Sequence, residues 1–165
     1  MVHLATYFDR LLCDLLAACQ RHYGDRLVSM AIFGSVGRGT PRPDSDLDVL
    51  IVAEGLPSGR MARIADFAPV ERALSLRLAE GRPYAPATDV CPVFKSPAEV
   101  ERGSPLFLDM IDDARILWDR DQFLAMAFAR LRARLNSLGA RRIWRGNAWF
   151  WDLKPDYRLG EVFDL

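Results

Sequence analysis

Two apolar runs of strand length, 27–33 and 47–53, flank a small and polar segment, and that arrangement restricts the fold more than any other feature of the chain. Each run is too short for a helix of ordinary length, and each ends at turn-forming residues: Gly34 after the first, Gly55 to Gly59 after the second. Between them, 35–40 is rich in glycine and small residues, and 41–45 reads as a loop. Before the first run, Leu4, Phe8, Leu11, Leu12, Leu15, Leu16 and Cys19 recur at helical spacing, with Gly24 where such a helix would stop. After the second run, 60–80 reads as helix broken at Pro69, 81–86 as a loop and 88–94 as a third strand. Ser96, Pro97 and Glu99 form a capping box that opens a short helix. A fourth strand is expected over 114–118. An amphipathic helix is expected over 123–138, with Leu124, Phe128, Leu131, Leu135 and Leu138 on one side, Arg130 and Arg134 on the other, and Gly139 at its end. Strands separated by helices predict an α/β or α+β domain with a helix-covered sheet.

The 165 residues suit a single domain, with a core at about 25–95 and a C-terminal helix and aromatic arm over 120–165. Charge then narrows the function classes. Twenty-two basic and 22 acidic residues cancel, whereas proteins that hold long nucleic acid through its phosphates carry a basic excess. The balance argues against a template-copying or tail-adding polymerase but permits a nucleotide substrate. No run is long enough to span a membrane, and Asp9 and Arg10 interrupt any signal-peptide core, so cytoplasmic residence is expected. Cys13, Cys19 and Cys91 follow no zinc or redox spacing and are expected as reduced core residues.

The chemistry concentrates where the polar segment meets the second strand. Asp46 and Asp48 sit two residues apart, so in an extended chain they share a face, about 7 Å apart along the strand. Two carboxylates so held repel unless a positive charge lies between them. Magnesium suits the position, since it takes a few carboxylate oxygens and completes its shell with phosphates and water. Gly34 and Ser35 fit the other half of the task. A tight strand-to-helix turn there would aim backbone N–H groups at a triphosphate, with the Ser35 hydroxyl as a further donor. Arg38, one turn on, offers a fixed positive charge. Gly37 and Gly39 are expected to add flexibility without direct contact.

Gly34-Ser35, ten residues, then Asp46-x-Asp48, with strands on both sides, resembles the signature of the DNA polymerase β-like nucleotidyltransferase superfamily, and the short chain resembles its minimal nucleotidyltransferase branch. The resemblance spans about 27–94. It implies a nucleotidyltransferase fold, a mixed sheet flanked by helices, with Mg2+ and ATP or another nucleoside triphosphate at the site. It also implies a third carboxylate on a neighbouring strand, for which Asp89 is the best match: it would bind metal with Asp46 and Asp48 and help deprotonate the acceptor hydroxyl. Minimal nucleotidyltransferases of this branch act as antitoxins of HEPN-domain ribonucleases and can adenylylate a tyrosine on them. By resemblance, then, AMP transfer to a HEPN toxin partner is the leading expectation. The alternatives are transfer to a small molecule such as an aminoglycoside, or an antitoxin that occludes its partner without catalysis.

Elsewhere the signals are weaker. His3 and His22 lack a metal-ligand partner at useful spacing, and Asp112 and Asp113 mark a turn. The segment 141–151 interleaves Arg141, Arg142 and Arg145 with Trp144, Trp149 and Trp151. That composition suits packing over the sheet, a protein partner or, least of all, nucleic acid. The tail over 154–165 reads as an irregular arm.

Overall fold

The computed structural model describes residues 4–80, 89–146 and 148–164. The loop expected at 81–86, the strand start at 88 and His3 lie outside them. Helix α1 (Leu4–Tyr23) leads through a short 3₁₀ turn into β1 (Leu27–Ile32), followed by the one-turn helix α2 (Gly34–Gly37) and β2 (Leu47–Ala53). Helix α3 (Arg60–Glu80) crosses to β3 (Val90–Lys95); α4 (Pro97–Glu101), α5 (Phe107–Met110), β4 (Arg115–Asp119) and α6 (Phe123–Ser137) follow. Strands β5 (Arg141–Arg145) and β6 (Ala148–Asp152) close the chain.

The main sheet has the order β3-β2-β1-β4, with β2 and β3 parallel and the other pairs antiparallel. It is the expected mixed sheet with helices on its faces. Side-chain alternation along β2 divides the core in two. Leu47, Val49, Ile51 and Ala53 pack with α1 and α3, around Leu11, Leu15, Phe67, Val70 and Leu74. Leu50 and Val52 face the other way, toward Val100, Phe107, Met110, Leu124 and Phe128 of α4, α5 and α6. By the same alternation Asp46 and Asp48 belong to this second side.

Two local expectations are corrected, and a third takes definite form. Pro69 lies inside α3 without ending it. Proline removes one helical hydrogen bond, but Phe67, Val70 and Leu74 are buried around it and hold the helix on the sheet. Of the cysteines only Cys19 is buried; Cys13 and Cys91 are exposed. Cys13 lies on the outer side of α1, and Cys91 lies on a strand left half-open near the carboxylates. The aromatic arm is a β-hairpin, with Arg142 opposite Trp151 and Trp144 opposite Trp149. Its Trp151 packs against the second core, and the Trp151 Nε1 donates to the Leu108 carbonyl at 3.2 Å.

Other expectations stand. The capping box closes in both directions, Ser96 N to Glu99 Oε2 at 2.7 Å and Glu99 N to Ser96 Oγ at 3.3 Å. Arg130 and Arg134 are exposed on α6. His22 packs edge-on to Tyr23 and lies 3.6 Å from Asp66 of α3. Among the described residues no helix is long and apolar enough to cross a membrane.

Candidate active site

The site forms where β1 turns into α2 and β2 begins. Phe33 N donates to the Asp48 carbonyl at 3.1 Å, so the chain leaves the sheet directly beside Asp48. Gly34 takes φ +65, and a Cβ built on it would stand 2.1 Å from the Asp48 Oδ2. Glycine is required there on two counts: the backbone conformation disfavours other residues, and the carboxylate occupies the space a side chain would need. Asp48 is thereby tucked against the turn, half-buried, while Asp46 is exposed at the mouth of the strand.

The intervening loop is tied at its ends. Ser35 Oγ donates to Ser45 Oγ at 3.0 Å, and the buried Ser45 closes a turn with Arg42 through bonds of 2.9 and 3.1 Å. Ser45 was not among the residues picked out by sequence, and its position two residues before the first strand residue offers no pattern of its own. The Ser35 hydroxyl, expected to donate to a phosphate oxygen, here donates to Ser45 and helps shape the loop.

Strand β3 brings Asp89 alongside. Leu47 N donates to the Asp89 carbonyl at 2.8 Å, extending the parallel ladder that pairs Leu47 with Val90 and Asp48 with Cys91. Continuing that alternation sets Asp89 on the same face as Cys91, across from Asp46. The Cys91 thiol reports the company it keeps: burial raises its pKa first, and Asp46, Asp48 and Asp89 each raise it further. The Asp48 carboxyl is also held above its ordinary value, by burial and then by Asp46, against a downward pull from Arg38.

Two crowded carboxylates with a third nearby are suited to a hard divalent cation. Among the described residues no group of three or more His, Cys, Asp or Glu side chains converges as a finished metal cage. The Asp46 and Asp48 pair by itself suits an ion that takes one or two carboxylates from the protein and the rest of its shell from phosphates and water, which is how magnesium is usually held.

Residues 12–81 match the family model of the nucleotidyltransferase domain, a span that contains β1, α2, β2, Asp46 and Asp48. The paired aspartates thus lie in a segment similar to that domain. A relative from Methanocaldococcus jannaschii, named "Putative protein adenylyltransferase MJ1305", is 29% identical over 126 residues, covering 75% of this chain and 80% of that protein. Among solved structures, a chain of a toxin–antitoxin crystal structure with AMP-PNP is 19% identical and has a TM-score of 0.43, over 83% of this chain and 94% of that one. A chain of the MntA–HepT toxin–antitoxin crystal structure is 15% identical with a TM-score of 0.45, over 79% and 92%.

On the flank of Asp46 and Asp48 stands a charged cluster that sequence reading missed. Arg38 is 40% exposed and lies 3.8 Å from Asp113, and Arg142 of β5 reaches the same Asp113 oxygen at 2.9 Å. Asp113, expected only to mark a turn, is thus a shared anchor. Gly37 is what allows the approach: a Cβ there would meet the Ile32 carbonyl at 2.9 Å and the Asp113 carbonyl at 3.0 Å. Its role is close packing, not flexibility. Separately, an open groove of about 630 Å³ between α4, α5 and α6, lined in part by Val100, Phe107 and Leu131, contains none of the site residues.

Proposed function

We propose that the chain transfers AMP from ATP to an acceptor hydroxyl in a magnesium-dependent reaction, and that the acceptor is a tyrosine on a HEPN-domain toxin for which this chain is the antitoxin. The observation that carries the reaction is the crowding of Asp46 and Asp48 on one face at the mouth of β2, with Asp48 fitted under Gly34. Likeness to a relative named as a protein adenylyltransferase supports a protein acceptor, and the HEPN partner rests on the family resemblance of the motif.

In this reading Asp46 and Asp48 hold magnesium, which when bound supplies positive charge to the triphosphate oxygens. Asp89, across the register, joins them and takes the acceptor's proton. Gly34 lets the chain come close to the triphosphate, Ser35 braces the loop beside it, and Arg38 lends a positive charge to the phosphates. The acceptor oxygen forms a bond to the α-phosphorus, the bond from that phosphorus to the bridging oxygen breaks, and pyrophosphate leaves with the electron pair. Asp48 must be ionised for this work, and the positive charge of a bound cation lowers its pKa back toward that state.

The test is mass spectrometry of a HEPN partner co-expressed with the chain. The expected result is a gain of one AMP on a tyrosine, absent with Asp46→Asn. An unmodified partner beside wild-type protein would contradict the proposed acceptor.

A further inference from the structure

The C-terminal hairpin reaches the site's flank through Arg142. On the face of the hairpin that carries Arg142, Trp144, Trp149 and Trp151, the Arg142 guanidinium lies 4.0 Å from the Trp149 ring centre and 4.9 Å from that of Trp144. The two rings meet edge-on, 6.4 Å apart. Stacking against indole faces fixes a guanidinium in place and favours its burial, and Arg142 is only 15% exposed. From that seat it donates to Asp113 at 2.9 Å, and Asp113 is itself 16% exposed.

Arg38 meets the same Asp113 oxygen, but at 3.8 Å and from an exposed position. One carboxylate therefore serves two arginines unequally. Arg142 makes the short, buried, stacked contact; Arg38 makes the long one. Asp109 belongs to the same neighbourhood, its carboxyl raised by burial and by Asp113 and lowered by Arg142 and Arg38. Charge bookkeeping then decides which contact matters. With Arg142 in place, the charge of Asp113 is already balanced and Arg38 remains available. Without Arg142, Asp113 would be a shielded carboxylate with Arg38 as its remaining close cation, and the two would draw together.

We propose that Arg142 is a positioning residue for the nucleotide site: by occupying Asp113 it keeps Arg38 free to meet the triphosphate. The inference rests on the proposed phosphate role of Arg38. It makes the hairpin part of the site's affinity setting.

The experiment is titration calorimetry of ATP with magnesium against the full chain, with circular dichroism to verify folding. Arg38→Ala should weaken binding by about tenfold. Arg142→Ala should weaken it by roughly three- to tenfold, and should add nothing further in the Arg38→Ala background. Asp113→Asn should bind at least as tightly as wild type. Adding Asp113→Asn to Arg142→Ala should bring affinity back to within about twofold of wild type, because the competing carboxylate is gone. A merely structural role for Arg142 would show neither the dependence on Arg38 nor this rescue. The inference is overturned if Arg142→Ala binds as wild type does, if its effect persists without Arg38, or if Asp113→Asn fails to restore affinity. Should Arg142→Ala not fold, Asp113→Asn alone decides: weaker binding would overturn the inference. Wild-type affinity in Arg38→Ala would instead remove the phosphate role of Arg38, and the inference with it.

Discussion

Strand β3 runs between two carboxylate-bearing places that are built in opposite ways. Beyond its far end, Glu99 is gripped by Arg63 through bonds of 2.8 and 3.1 Å and receives the Ser96 N–H. Arg63 in turn donates to the Pro57 and Phe94 carbonyls at 2.9 and 3.2 Å. The Arg63 hydrogen bonds lead in pulling the Glu99 carboxyl down to about 2. At the near end, Asp46 crowds Asp48, whose carboxyl is pushed up by burial and by that neighbour. The first site has every charge answered from within the chain and ties α3 to the capped start of α4. The second has the pull of Arg38 on Asp48, too little to offset burial and Asp46, and leaves the balance to be answered from outside. Stability and function thus draw on the same residue type, and the difference lies in whether a cation is built in.

The sharpest way to break the comparison is to remove the unanswered charge. Asp46→Asn with Asp48→Asn should lower nucleotidyl transfer by at least about 100-fold, while the thermal midpoint stays level or rises, because like-charge repulsion is relieved. A falling midpoint would mean the aspartates serve the fold. Next in size is Gly34→Ala, which drives a methyl into the Asp48 carboxylate and strains φ +65; it should cost about 1–3 kcal/mol of stability in a denaturant titration, and transfer should fall with it. Unaltered activity would detach Asp48 from the reaction.

At the answered site the effects reverse. Arg63→Ala should destabilise by about 1–3 kcal/mol through the stranded Glu99, read by urea unfolding, with transfer per folded molecule unchanged. The smallest effect is in pH. The Glu99 carboxyl is depressed, so its contribution is full above its ordinary value of 4.5 and fades as pH falls toward about 2. The Asp48 carboxyl is raised, so the folded state holds its proton more readily than the unfolded chain. Its contribution therefore grows as pH falls from above its folded value toward its ordinary 3.8. Unfolding midpoints against pH should show Glu99→Gln flattening the acid loss and Asp48→Asn removing the opposing slope.

How much of this could be read from residues follows from how local each feature is. Strands β1 and β2, the capping box and the shared face of Asp46 and Asp48 depend on spacing within a few residues, and all are legible. Gly34 was legible as a turn, but the space it clears for Asp48 depends on a strand 14 residues on. Pro69 misled because one lost helical bond is outweighed by burial that only the sheet provides. The hairpin was obscured because both of its faces carry arginine and aromatics: Arg142, Trp144 and Trp149 on one, Arg145 and Phe150 on the other. No alternation of polarity therefore shows. Asp113 was illegible for a related reason, since its partners Arg38 and Arg142 come from opposite ends of the chain.

Binding of ATP with and without magnesium, in wild type and in the Asp46→Asn, Asp48→Asn variant, tests the central claim most directly. Saturable binding that requires magnesium and disappears in the variant is the predicted result. Equal binding by the folded variant, or binding indifferent to magnesium, would contradict it.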